Sequence, residues 1–416
     1  MKNAKLFSFF QNSSAFRLLK ILRNQGIEGR LVGGCVRDAL LGRPVADIDI
    51  AVNVPPEKIL AFAKKENLEA IPTGISHGTV TLLFPEENQN QSSRTPFEIT
   101  SLRRDIQTDG RHAEISYTTH WEEDAARRDF TMNALYLDGD GNLFDYFQGE
   151  ADLARGLVRF IGSPEERIRE DYLRILRYYR FSLKYGKCED AASVRAIAAN
   201  IPFLKNLSKE RIQAEILKIL AEEDPTPALQ KMQEHQVWPV LLGRQAQEGL
   251  LKRLRGALPL QNSEERALLR LFALFPYPAD FFAQKLCLSK KQQTVLAALF
   301  QERETLPSEE QLFRIRYQCG DTIAKMWMAF QKAKEEGESE VAAPKFFWEK
   351  NIEALFSFPL PVFPLKGQDL LDAGFSAGKD CGLLLKECEN WWLQSLGKKN
   401  KAECLQGILD LAPRKS

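Results

Sequence analysis

The chain has 416 residues, 44% of them hydrophobic, which is enough for two or more domains with buried cores. Its 57 basic and 56 acidic residues leave a net charge of +1. This balance excludes nucleic-acid binding through overall positive charge, so any such surface must come from local clustering. The seven cysteines are odd in number and include no C-x-x-C motif, which favours a reduced, cytosolic protein.

The N-terminus carries five basic residues before its first acidic residue, Glu28, and so superficially resembles a transit peptide. An ordinary first helix is the better interpretation, because apolar residues recur on one side between Phe9 and Leu22 and Gly26 follows. No run of residues is long and apolar enough to span a membrane. We therefore predict a cytoplasmic protein with no membrane segment.

The most informative stretch, Leu31 to Val52, reads LVGGCVRDALLGRPVADIDIAV. Its pattern predicts a strand, a turn at Gly33 and Gly34, a short helix and a second strand. The glycines let the backbone turn sharply and present N–H groups at the opening of a helix, near Arg37 and Asp38. Such a turn is a natural seat for phosphate.

Two aspartates mark the second strand of this stretch. Alternate residues of a strand point to the same face, so Asp47 and Asp49 would place two carboxylates beside the phosphate turn. Alone, a Gly-Gly pair is usually just a turn and a D-x-D is often an exposed edge. Together they predict a Mg²⁺ site, because Mg²⁺ takes a few carboxylates plus substrate phosphates. A pair of metals binding the attacking and leaving oxygens is the chemistry of nucleotidyl transfer.

A third acidic residue lies in a later strand. Gly78 to Phe84 and Phe97 to Ser101 are rich in strand-forming residues and predict two strands. Glu98 lies in the second of them, and an acidic residue in an apolar strand is not buried without a partner. It either joins Asp47 and Asp49 at the metals or is an edge-strand glutamate in solvent.

Two segments rich in arginine follow. Arg103 to Thr119 has no strong period and predicts a long, mobile loop, a kind of segment that is often functional in compact domains. Further along, Arg127 and Arg128 are adjacent. The usual explanation is one solvated and one paired arginine. So near a triphosphate site, an arginine could instead supply a bidentate clamp.

A local excess of positive charge begins at Arg155 and ends at Lys187, where nine Lys or Arg accompany four Asp or Glu. This is the local basic surface that the balanced whole-chain charge conceals. Its centre, Glu170 to Phe181, has apolar positions consistent with a helix packed on others.

Asp171 and Arg174 lie three residues apart, close enough on a helix to act as a pair. They are either a small surface ion pair or a reader of bases. A carboxylate beside a guanidinium complements the amino donor and ring-nitrogen acceptor of cytosine and of adenine, whereas guanine and uracil set like against like. Arg177 and Arg180 continue the spacing but drift around the helix, so the arginines cannot all face one base.

Taken together, these segments resemble class II CCA-adding tRNA nucleotidyltransferases, a family in the DNA polymerase β superfamily. The match is dense from about Leu31 to Glu215 and thin afterwards. In that family the GG-x-VRD-x-LLG segment, here Gly33 to Gly42, and the D-x-D, here Asp47 and Asp49, bind the triphosphate and two Mg²⁺.

The remaining motifs of the family also have counterparts. RRDFT-x-NA matches Arg127 to Ala134, which implies Arg128 at the nucleotide. Glu210 to Glu215 resembles the ER-x-x-x-E segment that steadies the site, and the loop at Arg103 to Thr119 is implied to help the switch from C to A addition. The ED-x-LR-x-LR-x-x-RF segment implies base selection by Asp171 and Arg174, supported by Arg177 and Arg180.

Pattern and resemblance together predict an α+β fold, with a small mixed-sheet nucleotidyltransferase head followed by helical segments. The charged stretch Lys332 to Glu340 is typical of an exposed connector. The predicted segments are a head (1–150), a neck with the nucleotide-selecting helix (151–225), a body (226–340) and a tail that contacts tRNA (341–416).

The resemblance implies template-independent addition or repair of the 3′-terminal CCA of tRNA from CTP and ATP, with Mg²⁺ and no obligate protein partner. Poly(A) polymerase is the nearest alternative because it shares the head, and CC-only or A-only addition stays open. A noncatalytic RNA-binding protein is an alternative of another class. The site residues argue against it when they occur together: Asp47, Asp49, Arg128, Asp171 and Arg174.

Overall fold

The structure is a computed structural model that describes residues 3–86, 94–108, 113–247, 249, 262–301, 308–338, 356, 359–376 and 378–411. Internal contacts divide the chain into two compact units. The first comprises Met1–Glu215 and Pro227–Arg244, and the second comprises Ile216–Thr226 and Gln245–Ser416. The division into head, neck, body and tail stays a prediction.

The first unit contains a seven-stranded sheet and a separate two-stranded ribbon. The strands are β1 (Gly29–Val32), β2 (Asp49–Val52), β3 (Glu69–Gly74), β4 (Thr79–Pro85), β5 (Arg94–Ser101), β6 (Arg103–Thr108), β7 (Ala113–Tyr117), β8 (Leu135–Leu137) and β9 (Leu143–Asp145). The sheet order is β3-β4-β5-β2-β1-β8-β9. Only the β2–β5 pair is parallel among these described strands, so the predicted mixed sheet is confirmed.

The α-helices described in the first 242 residues follow in chain order. They are α1 (Ala4–Phe10), α2 (Ser14–Asn24), α3 (Gly34–Leu40), α4 (Pro56–Lys65), α5 (Trp121–Ala126), α6 (Gly149–Arg155), α7 (Pro164–Glu170), α8 (Leu173–Tyr185), α9 (Ala191–Asn200), α10 (Lys209–Ala221), α11 (Thr226–Glu234) and α12 (Val237–Leu242). The N-terminal segment forms two helices where one was predicted. It packs into the head, with Leu6, Phe10, Phe16 and Leu22 almost fully buried.

The helix predicted over Glu170 to Phe181 is broken at its second residue. Helix α7 ends at Glu170, Asp171 is extended (φ −157°, ψ 104°), and α8 begins at Leu173. The break has a local cause, because the Asp171 side chain accepts a hydrogen bond from the backbone N–H of Leu173 at 3.1 Å. An aspartate that bonds to nearby backbone in this way competes with helix formation.

The loop predicted at Arg103 to Thr119 is largely a ribbon. Strands β6 and β7 pair antiparallel, with Arg103 opposite Tyr117 and Arg104 opposite Ser116. Backbone hydrogen bonds can hold two strands together without an alternation of apolar and polar residues. The sequence therefore lacks the pattern by which these strands could have been predicted. Residues 109–112 lie outside the described residues.

The second unit is helical where it is described. Its later helices are α13 (Ser263–Leu274), α14 (Ala279–Lys285), α15 (Lys290–Gln301), α16 (Glu309–Cys319), α17 (Asp321–Glu338), α18 (Gly367–Asp372), α19 (Lys379–Gln394) and α20 (Lys401–Leu411). Trp392 is fully buried in a core that includes Phe313 and Ile408. The predicted connector at Lys332 to Glu340 is wrong for residues 332–338, which continue α17. Residues 339 and 340 lie outside the described residues.

Among the helices described here, none combines the length and the apolar character needed to cross a membrane.

Candidate active site

The glycine turn joins β1 to α3. Gly33 has a φ of +74°, which side-chain-bearing residues rarely adopt. Its N–H donates to the carbonyl of Leu135 at 3.1 Å, so that N–H belongs to the sheet and does not face a phosphate. The N–H groups of Gly34 and Cys35, in the first turn of α3, have no partner within the helix by its geometry. They are the donors that a phosphate would meet.

The acidic residues lie where β2 and β5 run side by side. The parallel register places Asp49 opposite Glu98, and β5 is an interior strand between β4 and β2. The edge-strand explanation of Glu98 is therefore wrong, although its side chain is exposed. Asp47 lies two residues before β2 instead of within it, because the strand begins at Asp49.

The three carboxylates influence one another. Partial desolvation raises the pKa of Asp49, the negative charge of Glu98 raises it further, and Asp47 adds a smaller effect in the same direction. The positive charge of Arg128 opposes them. These residues therefore share one electrostatic environment, and a bound cation would relieve their mutual repulsion.

This donor set fits a divalent cation that binds together with a nucleotide. Among the described residues, no group of three or more His, Cys, Asp or Glu side chains is placed to hold a metal ion unaided. Mg²⁺ characteristically uses one or two carboxylates and completes its shell with water and substrate phosphates. Asp47 and Asp49, exposed beside the glycine turn, suit that arrangement.

Arg128 is held in place by a residue that sequence reasoning missed. Asp124 is almost completely buried and accepts hydrogen bonds from Arg127 at 2.7 Å, Arg128 at 3.0 Å and the Tyr136 hydroxyl at 2.7 Å. Burial opposes ionisation of Asp124, but the charges of Arg128 and Arg127 lower its pKa well below the ordinary value. Both arginines are thus paired. A Cβ at Gly33 would lie 3.5 Å from Nη1 of Arg128, so this guanidinium borders the turn.

Arg37 and Asp38 are bound to each other at the start of α3. Arg37 Nε donates to Oδ1 of Asp38 at 3.0 Å, and Nη2 donates to Oδ2 at 3.1 Å. Nη1 donates to the side-chain oxygen of Asn133 at 2.5 Å, and the Arg37 side chain is buried. These contacts make Arg37 and Asp38 a structural support of the turn.

Asp171 and Arg174 lie at the junction of α7 and α8 and are not paired with each other. Asp171 accepts a hydrogen bond from Arg211 at 2.7 Å, whereas Arg174 donates to Glu170 at 2.6 Å and to the carbonyl of Arg127 at 3.1 Å. The predicted helical pairing is therefore wrong, because α8 begins after Asp171. The backbone still keeps them adjacent, since the N–H of Arg174 donates to the Asp171 carbonyl at 3.0 Å.

Arg177 and Arg180 point to different partners, as their spacing predicts. Arg177 donates to Asp129 at 2.6 Å, and Arg180 donates to Glu215 at 2.7 Å. Asp129 is buried, which would raise its pKa, but Arg177 and a hydrogen bond from Asn133 lower it. Glu215 and Arg211 are the last and second residues of the ER-x-x-x-E segment.

Asp124 and Asp129 are the residues that sequence reasoning missed at this site. A signal was available, since each lies within four residues of the adjacent pair Arg127 and Arg128. Buried arginines require nearby acidic partners.

Replacing Asp49 by asparagine tests the combined effect of desolvation and carboxylate repulsion on Asp49. A raised pKa in the folded state means that stability falls as the pH rises through that pKa. Asp49→Asn removes this loss, so Tm at pH 7.5 without divalent metal should rise by about 1 to 3 °C. Differential scanning fluorimetry at pH 7.5 and 3.5 measures it. A rise that is equally large at pH 3.5, where the carboxylate is mostly protonated in both states, would contradict the explanation.

Replacing Asp124 by asparagine tests the buried ion cluster. A lowered folded-state pKa contributes stability above the unfolded-state pKa, and this contribution is lost as the pH falls. At pH 7, Asp124→Asn should lower the free energy of unfolding by about 3 to 5 kcal/mol, because Arg127 and Arg128 lose their shared partner. Urea unfolding at pH 7 and pH 3 should show the gap between wild type and variant narrowing at the lower pH. An unchanged gap would refute the ionised pairing.

Comparison with protein families finds two matches along the chain. The model described as "Poly A polymerase head domain" matches residues 29–159. The model described as "Probable RNA and SrmB- binding site of polymerase A" matches residues 190–247. The first range contains the glycine turn, the three carboxylates and Arg128.

Similar proteins extend over almost the whole chain. CCA tRNA nucleotidyltransferase 1, mitochondrial, from Mus musculus is 33% identical over 409 residues, covering 94% of this chain and 88% of the relative. The Danio rerio protein of the same name is 32% identical over 421 residues, covering 94% and 89%. The crystal structure of the Bacillus stearothermophilus CCA-adding enzyme in complex with CTP has 27% identity and a TM-score of 0.75, covering 96% of both chains.

Proposed function

Because this chain belongs to the CCA-adding tRNA nucleotidyltransferases, which build the 3′-terminal CCA of tRNA from CTP and ATP, we propose how its residues divide that work. The observation that carries the proposal is the grouping of Asp47, Asp49 and Glu98 beside a glycine turn bordered by Arg128. Three acids and one fixed guanidinium, at a turn that can meet phosphate, suit nucleotidyl transfer.

The carboxylates are the proposed site of Mg²⁺. Asp47 and Asp49 would hold the metal together with the substrate phosphates, and Glu98 would add negative charge beside them. When bound, Mg²⁺ supplies charge neutralisation at the triphosphate and activates the attacking 3′ hydroxyl. Phosphoryl transfer depends mostly on positioning and charge stabilisation, so the protein needs no covalent intermediate.

Four further residues are proposed to form or support the triphosphate site. Gly33 shapes the turn, and Gly34 offers a backbone N–H at the start of α3. Arg128 faces the turn as a charged donor and is kept in one orientation by Asp124. Arg37, bound by Asp38 and Asn133, supports the turn from within the protein.

Base selection is proposed for Asp171 and Arg174. Asp171 and Arg174 lie three residues apart at the junction of α7 and α8. Each is oriented by an ion pair, Asp171 with Arg211 and Arg174 with Glu170. A carboxylate and a guanidinium in fixed positions can accept from and donate to the base edges of C and A. Arg177 and Arg180 support this site through the ion pairs that anchor α8.

Several coarser expectations remain proposals. We propose that residues 341–416 contact tRNA, for which shape and phosphate recognition is the usual mode. We also propose a cytosolic location, supported by seven cysteines, none of which forms a disulfide in the structure. The two vertebrate relatives described above are named as mitochondrial. Cell fractionation distinguishes a cytosolic from a mitochondrial location.

Nucleotide addition to one tRNA transcript lacking its CCA end tests the activity itself. Reactions with CTP alone, ATP alone and both nucleotides are resolved on a gel. Two additions with CTP, and a third only when ATP is also present, are expected. A long ladder with ATP alone would indicate the poly(A) polymerase alternative, which the name of the matching head model raises.

Asp47→Ala tests the metal assignment. The exposed side chain makes no contribution to the core, so the fold should persist while incorporation falls about a thousandfold. Asp140→Ala is a matched control, because Asp140 is also an exposed aspartate and forms only a surface ion pair with Arg23. Circular dichroism confirms the fold of both variants. Full activity of Asp47→Ala with Mg²⁺ would show that the assignment is wrong.

A further inference from the structure

Tyr185 is the last residue of α8 and reaches the helix that follows the glycine turn. Its hydroxyl donates to Oδ1 of Asp38 on α3 at 2.8 Å, although 147 positions separate the two residues. Tyr185 is 7% exposed, and this burial raises its pKa to about 12. The hydroxyl therefore keeps its proton and acts as a donor at physiological pH.

Arg37 completes the contact between the two helices. Its guanidinium lies 4.3 Å from the centre of the Tyr185 ring while binding both oxygens of Asp38. Burial would raise the pKa of Asp38, but Arg37 and the Tyr185 hydroxyl hold it below the ordinary value. Each member of this group is thus bound to the other two.

A second contact beside it joins the same segments. The Arg43 guanidinium lies 5.0 Å from the Tyr185 ring, and both its terminal nitrogens donate to the carbonyl of Lys184 at 3.3 Å. Arg43 lies just after α3 in the chain, and Lys184 is the residue before Tyr185 in α8. The end of α8 is therefore fixed against the segment that carries the glycine turn.

The contact of Tyr185 with α3 connects the helices that carry the two proposed nucleotide-binding places. Helix α3 begins at Gly34, where the triphosphate is proposed to bind, whereas α8 carries Arg174 in its first turn. A nucleotide must meet both places at once, and misplacement by about 1 Å can cost a hundredfold in rate. A bond that sets one segment against the other sets the distance between the base site and the phosphate site.

We propose that Tyr185 is a positioning residue that, through Asp38 and Arg37, aligns the base-selecting helix with the phosphate-binding turn. This inference rests on the proposed function. It predicts that loss of the hydroxyl lowers kcat/KM more for the correct nucleotide than for an incorrect one. The correct nucleotide uses aligned contacts to both base and triphosphate in the transition state, whereas an incorrect nucleotide makes few contacts to the base site.

Tyr185→Phe isolates the hydroxyl because the ring stays against Arg37. We expect kcat/KM for CTP, on a transcript lacking CCA, to fall about tenfold, the value of a hydrogen bond to a charged group. The decrease should be mostly in kcat, and kcat/KM for UTP should fall less, so the CTP to UTP preference shrinks. Tm should fall by about 2 to 4 °C, as expected for the loss of one buried hydrogen bond.

Tyr179→Phe is the matched control. It removes a hydroxyl from the same helix, one that bonds at 2.7 Å to Nδ1 of His235 and not to α3. The CTP to UTP preference should be unchanged in this variant. A loss of the CTP to UTP preference in both variants would overturn the proposal, because it would indicate a general disturbance of α8 and not the loss of the contact with Asp38.

A double variant tests whether Tyr185 acts through Asp38. Asp38→Asn alone should reduce the preference, and Tyr185→Phe with Asp38→Asn should lose no more than the worse single variant, because the two residues act as one unit. Additive losses would overturn the inference, as would a Tyr185→Phe enzyme with equal losses for CTP and UTP. Failure of the proposed function is distinguishable, because then the wild-type protein itself would not add CCA.

Discussion

The structure depends on the balance between clustered negative charge and one partly buried guanidinium, that of Arg128. Asp47, Asp49 and Glu98 lie together where β2 begins to pair with β5. Partial desolvation and the repulsion of the other carboxylates raise the pKa of Asp49. Arg128 opposes this charge, and Asp124 beneath it fixes the guanidinium. Because Asp124 lies deep in the protein, the counter-charge sits in a rigid place before any substrate arrives. Preorganised charge of this kind is a large source of catalytic stabilisation.

Ion pairs also fix the position of α8. Arg177 binds Asp129 and Arg180 binds Glu215, so the helix is tied on two sides by charge-assisted hydrogen bonds. Tyr185 adds a third tie at its end. Pairs of this sort stabilise only modestly, because desolvation offsets their attraction. Their more important effect is geometric, since a planar guanidinium bound to a carboxylate permits few orientations.

Much of the fold and part of the site could be predicted, and each failure has its own physical cause. Strands around Glu98 and the glycine turn follow from local composition, whereas the D-x-D pattern predicted Asp47 within a strand that begins only at Asp49. The break at Asp171 was missed because it depends on one side-chain hydrogen bond within a strongly helical pattern. The ribbon at Arg103 was missed because cross-strand pairing needs no apolar period.

By itself, the sequence determined the turn at Gly33, the acids of β2 and β5 and the helical character of the later chain, because each depends on residues near in sequence. Tertiary structure alone decided the ion pairs and hydrogen bonds between segments far apart in sequence. Asp129 with Arg177, and Asp38 with Tyr185, meet only after folding brings distant segments together. Charged residues follow no periodic pattern along the chain that would identify a distant partner. Only the packing of the folded protein brings such partners together.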